Sequence, residues 1–198
     1  MRLVLASASP RRAELLTAAG YVFETLPVDL DERADAGETP AAYVRRLAGE
    51  KSAAAFERLG PISDARPVVV LGADTTVVVD GQILGKPQDD DEAREMLRRL
   101  AGRDHQVLTG ISLRTRAAEA AAVEQTTVWF SALTTAEIDW YVGTGEGRDK
   151  AGAYAIQGLA SRFVARIDGS YSNVVGLPMQ AVAALLEGLS PRPQGPGA

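Results

Sequence analysis

Two adjacent arginines stand where a helix disfavours cations. Residues 5–16 read LASASPRRAELL: a strand end, a run of small residues, and an apolar-periodic helix carrying Leu15, Leu16 and Ala19. Ser9 falls at the N-cap position and Pro10 at the first helical position, where its missing N–H costs nothing. Arg11 and Arg12 then occupy the first turn, where the positive end of the helix dipole disfavours each cation by about 0.3–1 kcal/mol. An anion bound at the same place reverses that sign, because backbone N–H groups and guanidinium forks suit a phosphate. The plain alternative is a pair of solvated arginines.

Further residues carry chemistry by type and position. Asp74, in VVVLGADTTVVVD, interrupts a hydrophobic run at what reads as a strand end, behind two small residues. An Asx turn is its plain explanation. The sequence nevertheless returns directly to strand, so a metal ligand or a general base is the sharper one. Lys51 lies in a helix whose apolar stripe is Val44, Leu47, Ala48, Ala55 and Leu59. At about 100° per residue it falls inside that stripe, so its ammonium either snorkels to water or reaches an anion in a cleft. Lys86, in ILGKP, sits in a loop made rigid by Pro87. Glu32 belongs to an acidic loop with Asp29, Asp31 and Asp35. Gln157, in AGAYAIQG, is either a satisfied core amide or a reader of a ligand edge. His105 reads as structural or surface. Gly143, Gly145 and Gly147 follow a helix without G-K-[ST], so a P-loop and a dinucleotide fingerprint are excluded.

These residues need elements to position them. Strands are expected over 2–6, 21–28, 67–71, 76–79, 105–115, 122–133 and 162–168. Asp80-Gly81 marks a hairpin before Gln82-Ile83-Leu84, and residues 117–122 read as a surface hairpin loop. Helices are expected over 10–19, 40–59 and 89–101, with a short one behind the Thr134–Glu137 capping box and a last one from Pro178 to about Leu186. The order implies an α/β or mixed α+β fold around one elongated mixed sheet with flanking helices.

Composition narrows the classes. The chain has 198 residues, a net charge of −5, one histidine and no cysteine. One histidine without a G-x-S-x-G elbow argues against a Ser-His-Asp hydrolase. Without cysteine there is no thiolate metal site, so any metal is a hard cation such as Mg²⁺ or Mn²⁺ on oxygen ligands. The acidic balance and 6% aromatic content argue against a nucleic-acid module. No segment suggests a membrane span or a signal peptide, and the lack of cysteine is compatible with a cytoplasmic location.

Taken together, LASASPRRAELL, ADTTVVVDGQILGKP, HQVLTGISL, DKAGAYAIQG and SYSNVVGLP resemble the Maf family of nucleoside triphosphate pyrophosphatases, once named for a link to septum formation. The resemblance implies a fold like that of inosine triphosphate pyrophosphatases, with a cleft between two lobes, and a homodimer. It implies one domain over residues 1–188; the Pro/Gly-rich tail over 189–198 stands outside the family's pattern and is expected to be disordered from its composition. It also implies hydrolysis of the α–β phosphate bond to a nucleoside monophosphate and pyrophosphate, with a divalent cation. Asp74 then matches the catalytic acid, acting as base or as metal ligand, and Glu32 the accessory acid that shares the metal. Arg11, Arg12, Lys51 and Lys86 match the phosphate-binding cations, and Thr75 a specificity threonine. Gln157 matches the subgroup acting on dTTP, UTP and modified pyrimidine nucleotides; the other subgroup has Glu and prefers 7-methyl-GTP. A neutral amide offers the donor and acceptor that uracil and thymine require. The runner-up readings are a catalytically silent, nucleotide-binding regulator of cell division and the same chemistry on non-pyrimidine nucleotides.

Overall fold

The computed structural model describes residues 1–60 and 67–189. Its centre is β3 (Val68–Val79), twelve residues rich in valine and buried along almost their whole length. β-Branched side chains suit a pleated strand packed on both faces. Parallel to it lies β1 (Arg2–Leu5), which is flanked in turn by the parallel β2 (Phe23–Thr25). On its other side β5 (Asp104–Arg114), β6 (Glu119–Phe130) and β7 (Val164–Asp168) follow antiparallel, and the short β4 (Gln82–Leu84) returns on β3. The result is one mixed sheet, as expected, with seven strands: six in the order β2-β1-β3-β5-β6-β7, and β4 paired with β3 off that path.

The register leaves a notch. β1 pairs with β3 only as far as Leu5 opposite Leu71, and β4 begins at Val77. Residues 72–76 of β3 therefore have β5 on one side and no strand on the other.

Alternation along β3 assigns two faces. The face of Val70, Gly72, Asp74 and Val78 carries α2 (Pro40–Arg58), capped by the Thr39 hydroxyl, which accepts from the Ala42 N–H. Two glycines let α2 lie against the sheet. A Cβ on Gly72 would stand 2.2 Å from the Ala48 carbonyl oxygen, and one on Gly110 2.1 Å from that of Val44. On the opposite face are two separate apolar clusters. One joins Leu5, Val69, Leu71, Ile111 and Leu113 to α1 (Pro10–Ala18) and α6 (Met179–Leu189). The other joins Val77, Val79, Val107 and Val128 to α3 (Asp90–Leu100) and α4 (Thr135–Gly143). Thr75 lies on this face between them.

Several expectations need correction. β3 is continuous, so Asp74 lies mid-strand rather than at a strand end. The strand expected over 21–28 shrinks to β2, and the loop expected over 117–122 is mostly β6, its alanines held in the ladder by Leu113, Ser112 and Ile111. Pairing with a long partner overrides the weak strand preference of alanine. A five-residue α5 (Tyr171–Val175), capped by Ser170, stands where none was expected. α6 runs to Leu189, so that residue is helix rather than tail, and 190–198 lie outside the described residues. The Thr134–Glu137 capping box forms as expected. Among the described residues no helix is long and apolar enough to cross a membrane.

Candidate active site

At Leu5 the chain leaves the sheet through residues 6–9 and enters α1, while β3 runs on. A cavity of about 670 Å³ opens along the resulting notch. All eight residues singled out from the sequence line it: Arg11, Arg12, Glu32, Lys51, Asp74, Thr75, Lys86 and Gln157. They come from α1, the acidic loop, α2, β3, the loop after β4 and the segment before β7, so only the tertiary fold brings them together.

Asp74 forms the floor. It is 7% exposed, and its Oδ1 accepts a 2.7 Å hydrogen bond from Lys51 Nζ. Lys51, 8% exposed, reaches down from α2, and the same ammonium lies 2.5 Å from Glu32 Oε1. Snorkelling is thereby ruled out, because the lysine points into the cleft and meets two carboxylates. Burial pushes the Asp74 carboxyl above its ordinary value, against the opposing charges of Lys51 and Arg12. Burial also pushes Glu32 upward, but Lys51, Lys86 and Arg12 outweigh it and the net shift is down. Two neighbouring acids thus have environments that drive them apart, a pattern typical of acid–base sites.

Glu32 has no regular element beneath it. Its loop is held by α2, where the Tyr43 hydroxyl donates to the Glu32 carbonyl oxygen at 2.9 Å and Arg46 Nη2 donates to that of Arg33 at 3.1 Å. Burial, then the charges of Asp74 and Glu32, push the Tyr43 phenol up to about 12, so it stays a donor. Sequence reasoning passed over Tyr43. Its position eight residues before Lys51, with Leu47 between, places it on the same helix face and could have found it.

The paired arginines divide their work. Arg12 is buried, and its guanidinium fills the notch. Nη1 donates to the Ala73 carbonyl oxygen at 2.8 Å and to Ser7 Oγ at 3.1 Å, Nε to the Gly176 carbonyl oxygen at 2.8 Å, and Nη2 to Thr75 Oγ1 at 3.0 Å. Four of its five N–H donors are engaged by the protein, which leaves one for a ligand. Burial lowers its pKa, and the Asp74 charge opposes that shift. Thr75 Oγ1 also shares a hydrogen bond with Thr109 Oγ1 at 3.0 Å, so its hydroxyl is locked in place. Arg11 instead lies at the rim, where Nη1 meets Asp149 Oδ2 at 3.2 Å. Ser9 holds the N-cap position of α1 without a side-chain cap bond, and the first turn of the helix lines the cleft.

Lys86 and Gln157 face the cleft with no side-chain partner among the described residues. Gln157 is exposed, so it is not a core amide. His105 is 2% exposed and structural. Its Nε2 shares a 2.8 Å hydrogen bond with the hydroxyl of Tyr154, which lines the cleft.

A divalent cation suits this donor set. The Asp74 and Glu32 carboxylates both meet the Lys51 ammonium, so they lie close enough together to share a cation, and Mg²⁺ characteristically takes one or two carboxylates and completes its shell with water and substrate phosphates. Among the described residues no group of three or more His, Cys, Asp or Glu could hold a metal.

Comparison with known proteins places the chain. A family model described as "Maf-like protein" matches residues 2–189. The chain belongs to the Maf family. Curated Maf relatives named dTTP/UTP pyrophosphatase include one from Anaeromyxobacter dehalogenans, 53% identical over 189 residues, covering 93% of this chain and 92% of the relative. Another, from Vibrio cholerae, is 48% identical over 185 residues, covering 93% and 96%. The solved structure of the Staphylococcus aureus Ham1 protein aligns with a TM-score of 0.52 at 15% identity, covering 96% of this chain and 100% of that one. It shares the fold, and the expected mixed architecture stands.

Proposed function

We propose that this Maf protein hydrolyses the α–β phosphoanhydride of dTTP and UTP, releasing the nucleoside monophosphate and pyrophosphate. The observation that carries the reading is a buried carboxylate, Asp74, on the floor of a cleft walled by cations, together with the names of relatives about half identical over nearly the whole chain. Arg11, Lys86 and the free N–H of Arg12 would bind the triphosphate. As the anhydride breaks, negative charge grows on the departing pyrophosphate, and fixed cations stabilise it there more than in the bound substrate. Asp74, on the cleft floor, would take the proton of the attacking water. Asp74 and Glu32 would hold Mg²⁺ or Mn²⁺, which when bound neutralises phosphate oxygens and makes water more acidic. Lys51 keeps the two carboxylates together. Gln157 would read the pyrimidine edge with its unpaired amide, and the Thr75 hydroxyl, fixed by Arg12 and Thr109, would shape the adjoining wall. The resemblance also supports a homodimer, and the lack of cysteine is compatible with a cytoplasmic location.

The test is a panel of nucleoside triphosphates incubated with the purified protein and Mg²⁺ or Mn²⁺, with nucleoside monophosphate and pyrophosphate both quantified. Preferred turnover of dTTP and UTP with equal yields of the two products is expected. Preference for 7-methyl-GTP, or release of orthophosphate in place of pyrophosphate, refutes the reading.

A further inference from the structure

Gln157 is useful only if its backbone is held still, and no regular helix or strand holds it. It sits between two short 3₁₀ turns, Ala151–Ala153 and Leu159–Phe163. The amides of this segment are instead fixed by two side chains from α4 and the turn after it. Tyr141, fully buried, accepts the Ala155 N–H on its hydroxyl at 3.1 Å. The same hydroxyl donates to Glu146 Oε2 at 2.8 Å. Glu146 then accepts the Leu159 N–H on Oε1 at 2.9 Å and the Ala160 N–H on Oε2 at 3.4 Å. The phenol and the carboxylate thus hold the chain on both sides of Gln157.

Gly158 makes this possible. A Cβ there would lie 2.1 Å from Glu146 Oε1, so only glycine lets the carboxylate come this close. The clamp itself is anchored. The Tyr141 ring packs edge-on against Phe163 at 5.4 Å, and the Lys150 ammonium ties off the Glu146 carbonyl oxygen at 2.7 Å. Neither clamp residue belongs to the charged set around Asp74, and neither lines the cavity. A carboxylate accepting two backbone N–H groups and a phenol is a strong, directional fixture.

We infer that Glu146 and Tyr141 are positioning residues for base recognition: together they set where the Gln157 amide stands, and so which nucleobase the cleft accepts. This rests on the proposed reading of Gln157. Losing one such hydrogen bond releases one side of the segment, and the ordering of Gln157 must then come out of binding affinity.

The experiment compares Tyr141→Phe, Glu146→Gln, Gln157→Ala and the double variant Tyr141→Phe/Gln157→Ala in the full chain. Steady-state kinetics are measured on UTP, and inhibition constants are measured for inorganic tripolyphosphate, which has phosphates and no base. Tyr141→Phe keeps the buried ring, and Glu146→Gln checks the other half of the clamp. Each single variant is expected to raise KM for UTP about tenfold, with kcat within about twofold and tripolyphosphate inhibition unchanged. In the Gln157→Ala background, Tyr141→Phe should add nothing further. If Gln157→Ala raises KM and the clamp variants do not, the positioning role is overturned while base reading stands. Additive effects in the double variant, or weaker tripolyphosphate inhibition in the clamp variants, overturn it too, because the clamp then acts elsewhere. An unchanged KM in Gln157→Ala overturns base reading and the positioning role together.

Discussion

Gly72→Ala should inactivate the enzyme without touching any residue that meets substrate. The added Cβ would lie 2.2 Å from the Ala48 carbonyl oxygen and 2.7 Å from the Ser52 N, both backbone atoms of α2 on either side of Lys51. Reaching even 3.0 Å from the Ala48 oxygen requires a retreat of about 0.8 Å (3.0 less 2.2), and no flexible side-chain tip can absorb it. α2 must tilt or lift, taking with it the Lys51 ammonium that is 2.7 Å from Asp74 and the Tyr43 hydroxyl that holds the Glu32 loop. Overpacking of this kind costs about 1–3 kcal/mol of stability, and a displacement near 1 Å in a catalytic group costs about a hundredfold in rate. The assay is kcat/KM on UTP alongside urea unfolding. A folded variant with turnover down about a hundredfold is expected. Wild-type turnover in a folded variant would show that α2 does not set the Lys51–Asp74 geometry.

Asp74→Asn should retain the fold and lose about 10²- to 10⁴-fold in kcat, and near-normal pyrophosphate release would remove Asp74 from the chemistry. Asp149→Ala frees Arg11 from an exposed ion pair, so KM for UTP should fall about two- to fivefold; a rise would mean that Asp149 helps the substrate. Burial depresses His105 from 6.5 to about 4, so its neutral form stabilises the fold above pH 6.5 and that contribution is lost as pH falls toward 4. The loss amounts to roughly 3 kcal/mol, and His105→Gln should flatten the fall in urea-unfolding stability between pH 6.5 and 4, whereas an unchanged slope would assign it to other groups.

Lys51 was legible in the sequence because helical periodicity alone places a charged residue on an apolar face, and the fold turns that face to Asp74. Asp74 was legible as an acid among valines, but its mid-strand position was not. The two small residues before it leave room for a close approach, and what approaches Gly72 is α2. The arginine pair is out of place at a helix start by the dipole argument alone. For Arg12 the resolution came from carbonyl groups 61 and 164 residues away, which no local pattern encodes. The Glu32 loop has no periodicity of its own, since its partners Tyr43, Arg46 and Lys51 all lie in α2. The clamp on Gln157 stayed hidden for the same reason, as a tyrosine and a glutamate five residues apart look like ordinary helix and turn.

The Arg12 guanidinium is tied to the Gly176 carbonyl, so one wall of the cleft is laced together from segments 164 residues apart. A nascent polypeptide still lacking α5 and α6 can pair β1 with β3, yet it leaves that cation short of a carbonyl and α1 short of the apolar neighbours Leu177, Val182 and Leu186. Competence to bind a polyanion should therefore wait until α5 and α6 have been made. Proteolytic clipping ahead of residue 171 would dissolve the cleft first, while much of the sheet persisted.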